Sequence, residues 1–179
     1  MLEIERKFLL KSFPAITPIK EVLIHSGYLS VTPEIRIRKA EKQKVVDGVT
    51  TTVSKYGLTI KGEGTLTRTE DPFRLKEAQF ENYKSMIGKP LIQKIFKMYP
   101  LPGRLHFECN LVDEELPSSF MYAEVEFKSE ELANSFIMPE YLTEYIIDEV
   151  TDDPYYKMKN YWKRTRYDRS YRVRGESVI

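Results

Sequence analysis

Three charges near the start of the chain fall on alternate positions: Glu3, Glu5 and Lys7. In an extended strand successive side chains point to opposite faces. These three therefore share one face while Ile4 and Phe8 share the other, with Arg6 as the exception. The same arrangement recurs along the chain. Arg36 and Arg38 lie opposite Ile35 and Ile37, and Lys61 with Thr59 lies opposite Leu58 and Ile60. Arg68 and Glu70 share a face, as do Glu108 and Asn110, and Glu124, Glu126 and Lys128 lie opposite Val125 and Phe127. The signs are sorted, with positive charge gathered at Arg36, Arg38 and Lys61 and negative charge at Glu3, Glu5, Glu124 and Glu126. Like charges two residues apart repel, and an exposed charge contributes at most about 1 kcal/mol. A face open to solvent therefore gains little from the sorting. A ligand carrying both phosphate and a metal ion would reward it.

The chemistry of such a ligand sets the residue types. A string of phosphates needs several cations spread along it, as guanidinium forks or ammonium point charges, and Lys7, Arg36, Arg38, Lys61 and Arg68 meet that need. Phosphoryl transfer also calls for a divalent ion, and Mg²⁺ or Mn²⁺ prefers carboxylate and water oxygens. Glu3, Glu5, Glu70, Glu124 and Glu126 could provide one or two such sites. A carboxylate not wholly committed to metal can orient or deprotonate an attacking water, and the residue types leave open which one it is.

Period-two patterning places most of these residues on strands. The alternation predicts strands over 2–10, 22–31, 34–40, 56–61, 66–71, 91–98, 104–112 and 121–128, which is enough to close a small barrel. Helices are predicted over 75–87, ending at Gly88-Lys89-Pro90, over 129–137, opened by Ser129 with Glu130 and Glu131 behind it, and over 156–166. Residues 41–55, with Asp47-Gly48 at their centre, read as an extended hairpin loop. The expected fold is α+β: a closed eight-stranded antiparallel β-barrel with a charged lumen and a few flanking helices. The competing arrangement is an open sheet with its charged face in water and its apolar face under helices.

A chain of 179 residues with 41% hydrophobic and 31% charged residues suits one ordinary globular domain. No stretch approaches the roughly 20 apolar residues that cross a bilayer. The opening Glu3, Glu5, Arg6 and Lys7 is not an apolar signal segment, so no membrane partner and a cytoplasmic location are expected. The single cysteine, Cys109, cannot form an intrachain disulfide or a zinc site of the usual kind. The net charge of +1 hides an uneven distribution: between Tyr155 and Arg174 there are eight basic residues and one acid, Asp168. Residues 1–167 are expected to form the domain and 168–179 a basic extension, the one place where nucleic acid could bind.

The run Glu3-Ile4-Glu5-Arg6-Lys7 resembles the Glu-x-Glu-x-Lys signature of the CYTH family, the triphosphate tunnel metalloenzymes, and the later pieces follow in the family's order. These are Ser26-Gly27-Tyr28-Leu29, Ile35-Arg36-Ile37-Arg38, Leu58-Thr59-Ile60-Lys61, Arg68-Thr69-Glu70 and Ala123-Glu124-Val125-Glu126-Phe127. Glu149-Val150-Thr151-Asp152 with Tyr156, Lys157 and Asn160 resembles its closing segment. The resemblance covers about residues 1–162 and is closest to the short bacterial triphosphatase-like members. It implies metal-dependent hydrolysis of inorganic triphosphate or a related small triphosphate by a monomer or homodimer. It also implies a triphosphate-binding set of Lys7, Arg36, Arg38, Lys61, Arg68 and Lys94, metal ligands Glu3, Glu5, Glu124 and Glu126, and a catalytic set of Glu5, Lys7 and Glu70. Alternatives are an adenylate cyclase-like reaction on ATP and a non-catalytic polyphosphate-binding module.

The chain departs from the family pattern at four places. A basic residue reaching the tunnel is expected in the strand after the central helix, where this chain has Gln93-Lys94-Ile95-Phe96-Lys97, leaving Lys94 to substitute for it. A Glu-x-Asp pair is expected where Glu108 and Asn110 stand. Pro72 replaces an acid, and Tyr155 replaces an arginine. His25 and His106 lack partners at ligand spacing and read as structural. Gly62-Glu63-Gly64 reads as a hairpin turn, and Tyr156, Tyr161 and Trp162 read as the packing face of the last helix.

Overall fold

The computed structural model describes residues 1–167, so the expected basic extension lies outside the described residues. Nine strands form: β1 (Leu2–Leu10), β2 (Lys20–Val31), β3 (Glu34–Val46), β4 (Val49–Lys61), β5 (Thr67–Leu75), β6 (Ile92–Pro100), β7 (His106–Val112), β8 (Phe120–Glu126) and β9 (Ile146–Glu149). The helices are α1 (Glu77–Ile87), α2 (Glu130–Ser135), α3 (Glu140–Thr143) and α4 (Met158–Arg166).

Strand order is β5-β4-β3-β2-β6-β7-β8-β1-β9, and a further β5–β1 pairing closes the first eight into a barrel. All pairings are antiparallel. Closure is short: only Leu2, Ile4 and Glu3 between them pair with Thr69, Thr67 and Arg68. Farther along, Phe8–Leu10 are paired with β8 on one side and with β9 on the other. The four-residue β9 lacked enough alternation to be read from sequence. The open-sheet alternative is thereby excluded.

The segment 41–55 is not a loop. β3 and β4 pair without a register break from Glu34–Lys61 to Val46–Val49, so the turn is confined to Asp47 and Gly48. Both of these residues have positive φ, 51° and 76°, the tight-turn geometry that Asp-Gly favours. The helix expected from residue 75 begins two residues later because Leu75 still pairs with Tyr56. It ends as expected at Gly88, whose φ of 58° lets its N–H reach the Lys84 carbonyl. Ser129 caps α2 by accepting from the Leu132 N–H.

Helices and loops cover the barrel's apolar exterior. Ile4, Phe8, Phe107, Ala123 and Val125 pack with Ala133 and Leu142 from α2 and α3. Arg6, the exception to the first strand's pattern, lies on this outer side. Its guanidinium donates to both Glu149 oxygens (2.8 and 2.5 Å) and to the Ala133 and Phe136 carbonyls (3.0 and 2.8 Å), tying β1 to β9 and α2. Burial of Arg6 lowers the pKa less than the hydrogen bonds to Glu149 raise it, so it is locked in its charged form.

At one end of the barrel, Tyr161 and Trp162 of α4 pack on Tyr28, Ile92, Val112 and Tyr122. Asp113 fastens this helix, accepting from the Tyr161 hydroxyl (2.8 Å), Arg166 Nη2 (2.8 Å) and the Gln93 N–H (2.9 Å). Asp113→Ala strands a buried guanidinium and should lower the urea-unfolding free energy by about 3–5 kcal/mol. A loss below about 1 kcal/mol would show that α4 is held by its aromatic packing alone.

Candidate active site

The barrel encloses a cavity of about 240 Å³. The alternation read from sequence is the one that lines it: Glu3, Glu5 and Lys7 from β1, Arg36 and Arg38 from β3, Lys61 from β4, Arg68 and Glu70 from β5, Lys94 from β6, and Glu124 and Glu126 from β8. Going round the ring, β3 stands across from β8, so the arginine pair faces the Glu124–Glu126 wall.

On the acidic side, one carboxylate oxygen from each of Glu3, Glu5 and Glu126 lies within 4.8 Å of the others. Glu5 and Glu126 are register partners on β1 and β8, so the pairing of these two strands sets them side by side. Burial and the neighbouring Glu124 raise the Glu5 carboxyl to about 7. Glu126 is raised by burial and by Glu3, Glu124 and Glu70. Glu124, the fourth expected ligand, stands apart from this trio. It pairs with Lys7 at 2.8 Å, and although its burial opposes ionisation, Lys7 and Lys94 hold its pKa down at about 2.

The cations fall into two groups. Lys61 and Arg68 are engaged: Lys61 donates to both Glu3 oxygens (2.7 and 2.9 Å) and lies 3.4 Å from Glu70. Arg68 donates to Glu3 (2.6 Å) and Glu5 (2.9 Å). Burial of Glu3 disfavours its charge, but these two cations reverse the effect and lower its pKa. Arg36 and Arg38 make no ion pair with any described residue, and the buried Nε of each has no hydrogen-bond partner. Burial and the adjacent Arg36 lower the Arg38 pKa, whereas for Arg36 burial is outweighed by Tyr28, Glu34, Tyr122 and Glu70, which raise its pKa.

Lys94 fills the lumen position expected of it. It is buried, donates to the Tyr122 hydroxyl at 2.5 Å, and has its pKa driven well down by burial and by Arg36, Lys7 and Arg38, against Glu124. Phe96, two residues on, also faces inward and joins Val22 and Ile24 in an apolar patch. The lumen is therefore charged with one apolar wall. Asn110 is buried and donates to the Glu108 carbonyl at 3.1 Å, whereas Glu108 itself rises to about 7 under burial and the charges of Glu126 and Glu124.

Several lining residues escaped the sequence reading. Glu34 sits two residues before Arg36 on the same face, and that parity could have found it. It lies 3.9 Å from Arg68. Tyr28 and Tyr122, given no site role by the sequence, both line the cavity, and the Tyr28 hydroxyl is buried. Lys157 arrives from the start of α4 and donates to the Gly64 carbonyl at 2.6 Å. No local pattern brings it to the lumen.

A closed barrel with an all-carboxylate cluster on one side of its bore and, across from it, arginines that form no ion pair with a described residue is a charged tunnel. No family profile matches the chain. The curated inorganic triphosphatase of Nitrosomonas europaea is 34% identical over 160 residues, covering 89% of this chain and 95% of that protein. A crystal structure of an inorganic triphosphatase superposes with a TM-score of 0.57 at 30% identity, covering 89% of this chain and 93% of that one. A Hippeastrum protein described as an adenylyl cyclase candidate with dominant triphosphatase activity shares the fold at 14% identity, with a TM-score of 0.52 over 79% of this chain and 87% of that one. The chain belongs to the CYTH family of triphosphate tunnel metalloenzymes.

The raised Glu108 pKa sets a pH dependence. The folded chain holds this proton more tightly than the unfolded chain, whose carboxyl titrates near 4.5, so stability is lost as pH rises from about 4.5 through about 7. Glu108→Gln should raise Tm by a few degrees at pH 8 and leave it unchanged near pH 4. An equal shift at both pH values would show that the lumen field does not act on this residue.

Proposed function

We propose that this protein hydrolyses the terminal phosphoanhydride bond of inorganic triphosphate with Mg²⁺ or Mn²⁺ held by Glu3, Glu5 and Glu126. One observation carries the reading: three convergent carboxylates share a bore with Arg36 and Arg38, the buried Nε of each having no hydrogen-bond partner among the described residues. An oxygen-only ligand set whose members raise one another's pKa fits a hard divalent ion, because the ion removes the repulsion that burial imposes. The relative named for inorganic triphosphate selects that substrate.

Arg36, Arg38 and Lys94 would receive the phosphate chain along the β3 and β6 walls, with Lys7 beside Glu124 between them and the carboxylates. Lys61 and Arg68 now neutralise Glu3 and Glu5. With the carboxylates neutralised by a bound divalent ion, Lys61 and Arg68 would turn their donors toward phosphate oxygens. A bound divalent ion would neutralise the charge developing on the transferred phosphoryl group. Water adds to the terminal phosphorus, the bridging P–O bond breaks, pyrophosphate leaves with the electron pair, and the water's proton passes to a lumen carboxylate. Glu70, outside the three-carboxylate cluster and 3.4 Å from Lys61, would take it. A cytoplasmic location fits the free thiol of Cys109, which a reducing compartment preserves.

Phosphate release should occur from tripolyphosphate with Mg²⁺ or Mn²⁺ and stop on chelation. Glu5→Gln should abolish turnover without lowering Tm. Arg36→Ala and Arg38→Ala should each weaken triphosphate binding by about 1.5–3 kcal/mol, roughly ten- to a hundredfold. Binding of tripolyphosphate without release would make the chain a non-catalytic module, and unchanged affinity in both arginine variants would refute the tunnel assignment.

Residues 1–167 supply every group named in this reading, so deleting 168–179 should leave tripolyphosphate turnover within twofold of the full chain. Collapse of turnover in the truncated chain would show that the extension belongs to the site.

A further inference from the structure

Beyond the barrel rim, β3 and β4 continue as a free two-stranded ribbon. Glu41 is the last β3 residue paired with β2, and Tyr56 is the first β4 residue paired with β5, so the residues between them pair only with each other. Because the register is unbroken, the face that carries Arg36 and Arg38 inside the barrel continues outward through Ala40, Lys42 and Lys44 on β3 and through Lys55, Val53 and Thr51 on β4. Lys42, Lys44 and Lys55 are exposed, and none forms an ion pair with a described residue.

The same face has a built approach at the rim. Arg38, Gly57 and Arg74 occupy one row across β3, β4 and β5. The centre of that row, Gly57, carries no side chain. Arg74 is exposed and likewise free of described ion pairs. No acid lies on this face of β3 from Arg36 to Lys44, nor on this face of β4 from Thr59 to Thr51. Glu41 of β3 belongs to the other face and is engaged by Lys39 (2.8 Å) and His25 (3.0 Å). The distance from Arg38 to Lys44 is roughly 20 Å at about 3.3 Å per residue. That reach extends well past a ligand confined to the bore.

We propose that this ribbon face is a subsite for the distal phosphates of a linear inorganic polyphosphate longer than three units, with one end of the chain seated in the tunnel. The proposal rests on the reading of the tunnel as a triphosphate site. A linear polyphosphate has the required chemistry: a uniform anion that the lumen cations begin to bind and the ribbon cations continue to bind. The face carries lysine, arginine, valine and threonine but no aromatic on which a nucleobase could stack, which favours polyphosphate over a nucleic acid.

The test compares wild type with the combined variant Lys42→Gln, Lys44→Gln, Lys55→Gln, using tripolyphosphate and a long-chain linear polyphosphate as substrates and the long chain also as an inhibitor of tripolyphosphate turnover. Tripolyphosphate kcat/KM should be unchanged. The long chain's kcat/KM, or its inhibitory potency where it is not cleaved, should fall on the order of tenfold, with the larger effect at low salt. Equal treatment of the long chain by both proteins overturns the subsite. So does a parallel loss on tripolyphosphate, or a loss confined to an RNA bearing a terminal triphosphate. Should wild type leave tripolyphosphate uncleaved, the triphosphatase reading fails separately, and long-chain binding measured by calorimetry on the two proteins still decides the subsite.

Discussion

The structure depends on keeping many charges out of water without letting them cancel completely. A buried ion is several kcal/mol more costly than a hydrated one unless its partners are close and well aligned. On β1, β4 and β5 that condition is met within the protein: Glu3 receives both Lys61 and Arg68, and Arg68 reaches on to Glu5. The pairing spans the seam where the barrel closes, which is only three register pairs long. These ion pairs therefore both neutralise the lumen and bridge the weakest junction in the ring.

The condition is deliberately unmet elsewhere. Glu5, Glu126 and Glu108 have raised pKa values because burial disfavours their charge and neighbouring carboxylates add to that cost. Across the bore, the buried Nε of Arg36 and that of Arg38 have no hydrogen-bond partner among the described residues. Each imbalance has the sign that one half of the proposed metal–triphosphate ligand would offset, a cation for the acids and an anion for the arginines. Binding both halves together would relieve both costs, so energy stored during folding becomes affinity and orientation at the moment of binding. The barrel makes this possible because its pleat fixes side-chain direction while its exterior carries the stabilising apolar core.

That exterior is fastened at points remote from the chemistry. Arg6 holds β9 and α2 on one side of the barrel, and Asp113 holds α4 at one end through three hydrogen bonds. Placing α4 also brings Lys157 against the Gly64 carbonyl, so the closing helix contributes a wall of the cavity as well as a cover for Tyr28 and Tyr122.

The inward charges were legible in the amino-acid order because strand geometry is strictly periodic. Glu3, Glu5, Lys7, Arg36, Arg38, Lys61, Arg68 and Glu70 needed only a parity rule to be placed on one face. The departure at Asn110 was visible in the same way, and Lys94 falls into the lumen by the same count. Parity says nothing about which strands stand opposite one another, and that is decided by the order in which the ring closes. Tertiary structure alone separated Glu124 from the carboxylate trio by setting it against Lys7, brought Lys157 in from a distant helix, and turned the 41–55 segment into a ribbon. It also gave Arg6 its outward role, since an exception to a pattern acquires a meaning only when its partners arrive. Pattern along a strand is a local property of the backbone. Opposition across a barrel depends on contacts between residues far apart in the chain, which no local pattern records.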